Sequence, residues 1–325
     1  MKKILTAVFA AGAAMLYSTV WAWQPEKPIT VLIGFGPGSG NEVSFRAMAA
    51  QVEQATGAKF VVTPRPGADS VLSLNELVRA APDGYTINIA SQQNTWVMAD
   101  VTGKDIKQFT PDSFEYSVNI AKSPLAIIAP VDSAVNTPRE LVRLLETTTT
   151  PINIAVGSSS HRLAYQYLVE RTRARRDLVQ AVSYKGPAQA GNDVAGRHVE
   201  FGIIPAAIAY TLVNSGLVKF IGLCSEQRLA KIPEVPLMDT VVPGLHVYAG
   251  WGILLPRGTA PEVTKWYTEN FVRAIRSEQS RKFFEENLMF MDERELTPEG
   301  YRRNMMELRR VWLPIAQSMD FGNKK

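Results

Sequence analysis

The chain has 325 residues, of which 46% are hydrophobic and 20% charged, and a formal net charge of +4 that becomes +2 without Lys2 and Lys3 (4 − 2). That length suffices for two domains with separate cores, and so small a charge makes no case for a nucleic-acid partner. Cys224 is the single cysteine, so an internal disulfide is excluded and apolar cores must hold the fold.

Residues 1–22 combine a basic start at Lys2-Lys3, an apolar run from Ile4 to Leu16 and the small-x-small end Val20-Trp21-Ala22, the pattern of a secretory signal peptide. The apolar run falls short of the roughly 20 residues a spanning helix needs. A periplasmic location follows as the expectation, with no cysteine after the run to carry a lipid.

Ile29 to Phe35 reads as a buried strand that ends in a loop holding Gly34, Gly36, Gly38 and Gly40. Ser39 or Asn41 can cap the helix after it, which carries Val43, Met48, Ala49 and Val52 at helical spacing. A strand, a glycine loop and a helix start aim unpaired N–H groups at one point, where an anion is favoured. Phe60–Val62, a loop at 63–70 and a helix at 71–80 repeat the unit, and Ala81-Pro82-Asp83-Gly84 turns the chain into a strand at 85–90. Strand, loop and helix in this alternation predict an α/β fold with a mainly parallel sheet, and its ligand crevice beyond the carboxyl ends of the strands. The loops at 34–41, 63–70 and 91–95 would then share one rim.

Ala126–Pro130 is a further buried strand, and Thr137-Pro138-Arg139-Glu140 opens a helix with a cap, a proline at its first position and a glutamate three residues on. Ile152–Val156, the loop Gly157–His161 and the helix at 163–170 repeat the arrangement of 29–46. Val179–Gly186 is again a strand ending in a loop, followed by a helix near 188–195 and short strands at 199–204 and 218–223. Helices begin at Thr259-Ala260-Pro261 and Thr297-Pro298-Glu299, with apolar faces expected to pack back onto the first domain. The expected organisation is 1–22 signal segment, 23–127 first domain, 128–248 second domain and 249–325 return to the first.

The glycine loop fails the nucleotide tests. G-x-G-x-x-G from Gly34 meets Ser39, and from Gly36 it meets Asn41; no glycine is followed by Lys and then Ser or Thr. A small carboxylate is the anion that remains. Ser158, Ser159 and Ser160 beside His161 raise a Ser/His hydrolase as the alternative, but no G-x-S-x-G elbow is present and serines at a helix start are cap residues. His161, His198 and His246 stand far apart, so no metal is expected, nor any cofactor.

With these loops placed, the sequence resembles the substrate-binding receptors of tripartite tricarboxylate transporters, the Bug-type periplasmic proteins, from about Trp23 to Gln317. Carrying the resemblance are Lys27-Pro28-Ile29-Thr30 leading to Phe35-Gly36-Pro37-Gly38 and Arg46, then Arg65-Pro66-Gly67-Ala68 and Ala81-Pro82-Asp83-Gly84-Tyr85-Thr86. Gly157–His161, Tyr184-Lys185-Gly186 with Asp193 and Gly196, and Trp251-Gly252 with Pro256 and Gly258-Thr259 continue it. It implies a two-domain clamshell of the periplasmic-binding-protein type, closing as a monomer on a small organic carboxylate and presenting it to membrane permease subunits, without catalysis.

Ligand-binding candidates in the first domain are Phe35, Gly36, Pro37, Gly38, Ser39, Gly40, Asn41, Glu42, Gly67, Ala68, Asp69 and Ser91. In the second they are Gly157, Ser158, Ser159, Ser160, His161, Ser183, Tyr184, Lys185, Gly186 and Asp193. The chain departs from the family pattern at Ser39, Glu42, Pro64 and Asp69. Two acids near a carboxylate pocket imply a ligand that carries a donor or cationic group as well.

Overall fold

The computed structural model describes residues 23–319, so the signal-like segment 1–22 lies outside the described residues. Strand β1 (Ile29–Ile33), helix α1 (Gly40–Thr56), β2 (Phe60–Pro64), α2 (Val71–Arg79), β3 (Thr86–Ser91) and the short α3 (Gln92–Trp96) follow in the expected order. Alternate residues of β1 enter different cores: Ile29, Val31 and Ile33 face α1, while Leu32 faces α2.

Strand β4 (Phe114–Pro130) is 17 residues long and buried at every position except Glu115. Only its last five residues read as a strand in the sequence. Ser117, Asn119, Lys122 and Ser123 interrupt the apolar pattern, yet all four are buried. Beyond it come α4 (Pro138–Thr147), β5 (Ile152–Val156), α5 (Ser159–Arg171), β6 (Val179–Ser183), α6 (Pro187–Ala195), β7 (Phe201–Pro205), α7 (Ala206–Asn214) and β8 (Val218–Cys224). The chain returns through β9 (Tyr248–Pro256) and ends in α8 (Pro261–Ile275), α9 (Glu278–Glu286) and α10 (Pro298–Gln317).

Strand order β2-β1-β3-β9-β4-β7-β5-β6, with β8 also on β4, makes two sheets that share β4. Residues 114–124 of β4 pair with β9, and residues 125–130 pair with β7 and β8. The first lobe thus hangs on β2, β1, β3 and β9, the second on β7, β5, β6 and β8. The α/β class holds, but each sheet is mixed rather than mainly parallel. In each, two pairings are parallel (β1 with β2 and β3; β5 with β6 and β7) and two antiparallel, because every pairing made by β4 or β9 is antiparallel.

Helices α8 and α9 cover the first sheet through Trp266, Tyr267, Phe271 and Phe284. Helix α10 behaves differently from the expectation that the C-terminal helices return to the first domain. Its Tyr301 and Met305 lie in a first-lobe core, whereas Trp312 and Ala316 enter the core of the second lobe with Tyr167 and Leu168. Twenty residues of helix reach about 30 Å, enough to cross from one lobe to the other.

Candidate functional site

Gly34 ends β1 in close contact with the loop after β2: a Cβ there would lie 2.3 Å from the Cβ and Oγ of Ser70 and 2.7 Å from its Cα. The glycine is needed for space. Beyond it, Gly36, Pro37 and Gly38 are exposed and Phe35 is half-buried against the first-lobe core. Gly38, at φ 77°, turns its N–H to the Glu42 carboxylate at 2.9 Å. Arg46 holds the other Glu42 oxygen at 2.7 Å, and together the guanidinium and the Gly38 N–H keep this carboxyl below its usual range. Glu42 is thus already paired within its own helix turn.

Ser39 stands at the N-cap of α1 in extended conformation but makes no side-chain cap bond, and its Oγ is buried without a partner. Gly40 lets the first turn close on the crossing strand, since a Cβ there would sit 2.6 Å from the Trp251 ring. Asn41 is buried beside it. The start of α1 therefore abuts β9; Ser39 caps none of its donors, and Asn41 Oδ1 accepts the Glu42 N–H at 3.2 Å.

The second lobe repeats the close approach. A Cβ on Gly157, after β5, would fall 2.5 Å from the Pro187 backbone, which follows β6 and Gly186. Unlike α1, α5 is capped: Ser158 Oγ accepts the His161 N–H at 3.3 Å, and lies 3.0 Å from Ser160 Oγ. His161 is buried and its Nδ1 accepts the Gly157 N–H at 3.3 Å. Burial pushes its pKa down to about 3, so the ring is neutral. No hydrogen bond joins this ring to Ser158, Ser159 or Ser160, and the nucleophile–base pair of a Ser/His hydrolase is not assembled.

Ser183 and Lys185 are exposed; Ser183 Oγ accepts from Arg162 Nη1 at 3.2 Å. The Tyr184 phenol is pushed up to about 12 by lost hydration and by the neighbouring Asp193 carboxylate. Asp193 also lies 3.7 Å from His198.

The two lobes meet at Asp69. Its Oδ1 accepts from Ser159 Oγ at 2.7 Å and from Asn94 Nδ2 at 2.8 Å, and its Oδ2 accepts from Thr102 Oγ1 at 2.7 Å. Ser91 joins this cluster through its hydroxyl, 3.1 Å from Asn94 Oδ1. Gly67 at φ 143° leads into Ala68, Asp69 and Ser70 at φ 45°, 51° and 76°, three successive side-chain-bearing residues in the left-handed region. Asn94 and Thr102 are absent from the candidates read in sequence. Thr102 lies 33 residues from Asp69 and carries no local signal, whereas Asn94 sits in the loop at 91–95 after a predicted strand, which is a signal for it.

Residues 44–296 match the family model described as the tripartite tricarboxylate transporter family receptor. The UPF0065 protein in gbd 5'region of Cupriavidus necator is 25% identical over 275 residues, covering 84% of this chain and 82% of that one. The structure of periplasmic binding protein BugD superposes with a TM-score of 0.72 at 23% identity, over 90% of this chain and 97% of its own. R. palustris Rpa4515 with adipate gives 0.76 at 19%, over 90% and 97%. Among the described residues no helix is long and apolar enough to cross a membrane.

Proposed function

The chain belongs to the tripartite tricarboxylate transporter receptor family, and from that premise we propose that it is a periplasmic solute-binding protein. It captures a small organic carboxylate between its two lobes, as a monomer and without turnover, and delivers it to the membrane permease of a tripartite transporter. The lobes act as the two domains of a clamshell with β4 and β9 as its hinge.

The observation that carries this reading is the start of α1, where Ser39 caps nothing, its Oγ is buried without a partner, and Trp251 of the crossing strand packs against Gly40. The first-turn N–H groups of Gly40 and Asn41, which Ser39 does not cap, and the positive end of the helix dipole suit a carboxylate. Micromolar affinity needs about 8 kcal/mol, which several charge-assisted hydrogen bonds of roughly 1.5–3 kcal/mol each can largely supply. The hydrolase alternative finds no support in the His161 geometry.

A thermal-shift screen against about a hundred carboxylates, with adipate included because a protein of similar fold has been solved with it, tests the reading. Stabilisation that grows with ligand concentration, confirmed by calorimetry, is the expected result. Uniform silence, or ester turnover abolished by Ser159→Ala, would overturn it.

A further inference from the structure

Asp69 has more partners than a turn residue requires. Its carboxylate joins four segments: its own turn after β2, Asn94 on α3, Thr102 beyond α3, and Ser159 at the first position of α5 in the other lobe. Three side-chain donors converge on one carboxylate, with N–H or O–H to oxygen distances of 2.7–2.8 Å typical of charged acceptors. The backbone that presents it is held in an unfavourable conformation over residues 68–70, and such strain persists only where the surroundings fix it. Gly34 supplies the space that this turn occupies.

We propose that Asp69 is a built-in carboxylate that fills an anion position between the lobes and so determines which ligands fit. The proposal rests on the carboxylate-receptor reading and narrows its substrate class. The donors of Ser159, Asn94 and Thr102, which would receive a second carboxylate of a ligand, are already taken by the chain itself. A dianion reaching from α1 to α5 meets a like charge there. A monocarboxylate with a neutral or cationic far end does not. Glu42 acts in the same sense elsewhere in the first lobe by accepting the Gly38 N–H.

Acetate is the side chain that Asp69→Gly removes, and it is the probe. The readout is the increment that acetate produces, because glycine also relieves the left-handed strain at this position and shifts the starting midpoint. At about 0.1 M acetate the melting temperature of Asp69→Gly should rise by about 2–4 °C beyond a matched chloride control. Wild type, left with the start of α1 as its carboxylate site, should rise clearly less, acetamide should not replace acetate, and Asp69→Gly/Ser159→Ala should lose most of the difference. In parallel calorimetry, adipate and succinate should bind Asp69→Gly at least about tenfold more tightly than wild type, and Asp69→Asn should lie closer to the glycine variant. An equal acetate response in wild type and variant, no response in either, or unchanged dicarboxylate affinity would overturn the proposal. If acetate stabilises Asp69→Gly but no other carboxylate in the wider screen binds either protein, the receptor reading falls and the ligand choice with it, whereas measurable but equal dicarboxylate binding to both proteins overturns the proposal alone.

Discussion

A neutral imidazole buried in the first turn of α5 ties the stability of the second lobe to pH. His161 has a folded pKa lowered to about 3 from the ordinary 6.5, so between those values the unfolded chain binds more protons than the folded one. Its contribution is therefore complete above pH 6.5 and is lost as pH falls towards 3, at up to about 1.4 kcal/mol per pH unit. Urea unfolding at several values between pH 6.5 and 4 should show a shallower loss in His161→Gln than in wild type; parallel slopes would contradict the assignment. Its setting was partly legible. Ser158 as a helix cap follows from a serine run before a helical pattern, because capping is local. The partners of Asp69 are not local, and neither Thr102 nor Ser159 announces in sequence that a carboxylate will reach it. Likewise Glu42 reads as a pocket charge until the structure shows Arg46 and the Gly38 N–H closing on it.

At the level of elements, helix start signals are legible because they depend on neighbours in the chain. Thr137, Pro138 and Glu140 open α4 as expected, with Thr137 Oγ1 accepting the Glu140 N–H at 3.2 Å. Strand β4 was underestimated since its polar residues are buried beside the crossover, where alternation no longer reports exposure. The amphipathic pattern of α10 shows an apolar face but not that two different cores share it. Trp312, 5% exposed, packs its ring 4.8 Å from that of Tyr167 and fastens the second half of α10 to the second lobe. Trp312→Ala should destabilise the protein by about 3–5 kcal/mol in chemical denaturation. A loss of under about 1 kcal/mol would mean that this half of the helix is not a structural part of the second lobe.

Across the whole molecule, the fold class and the rim of loops were foreseeable because strand–loop–helix alternation has few solutions. The crossings between lobes were foreseeable too, near 125–132 and 245–252, but not the charges buried beside them, which sequence presents as ordinary surface residues. Lys122, on β4 where the lobes part, is 6% exposed and bonds Asp292 at 2.8 Å and Glu295 at 2.5 Å. Glu295 in turn accepts from Gln92 at 2.8 Å and from Asn304 at 3.0 Å, so the crossover, α3 and α10 are bound into one buried network. Removing the cation leaves Glu295, 1% exposed, without it, while Asp292 keeps the two bonds from Arg294 at 2.7 and 2.8 Å. Lys122→Met should therefore cost about 3–5 kcal/mol of unfolding free energy, whereas a surface lysine of the same lobe, Lys59, should change it by less than about 0.5 kcal/mol when replaced. Equal effects at the two positions would show that the network is not needed for stability.

The path of α10 also settles where reporters belong. Trp23 packs on Tyr85, Trp266 and Tyr267 of the first lobe, while Ala316 and Met319 sit in the second. The first and last described residues thus ride on different lobes, although α8, α9 and the first half of α10 all pack on the first. Donor and acceptor dyes attached beside Trp23 and Met319 would register any hinge rotation as a change in energy transfer, which makes this scaffold a ready-wired optical sensor.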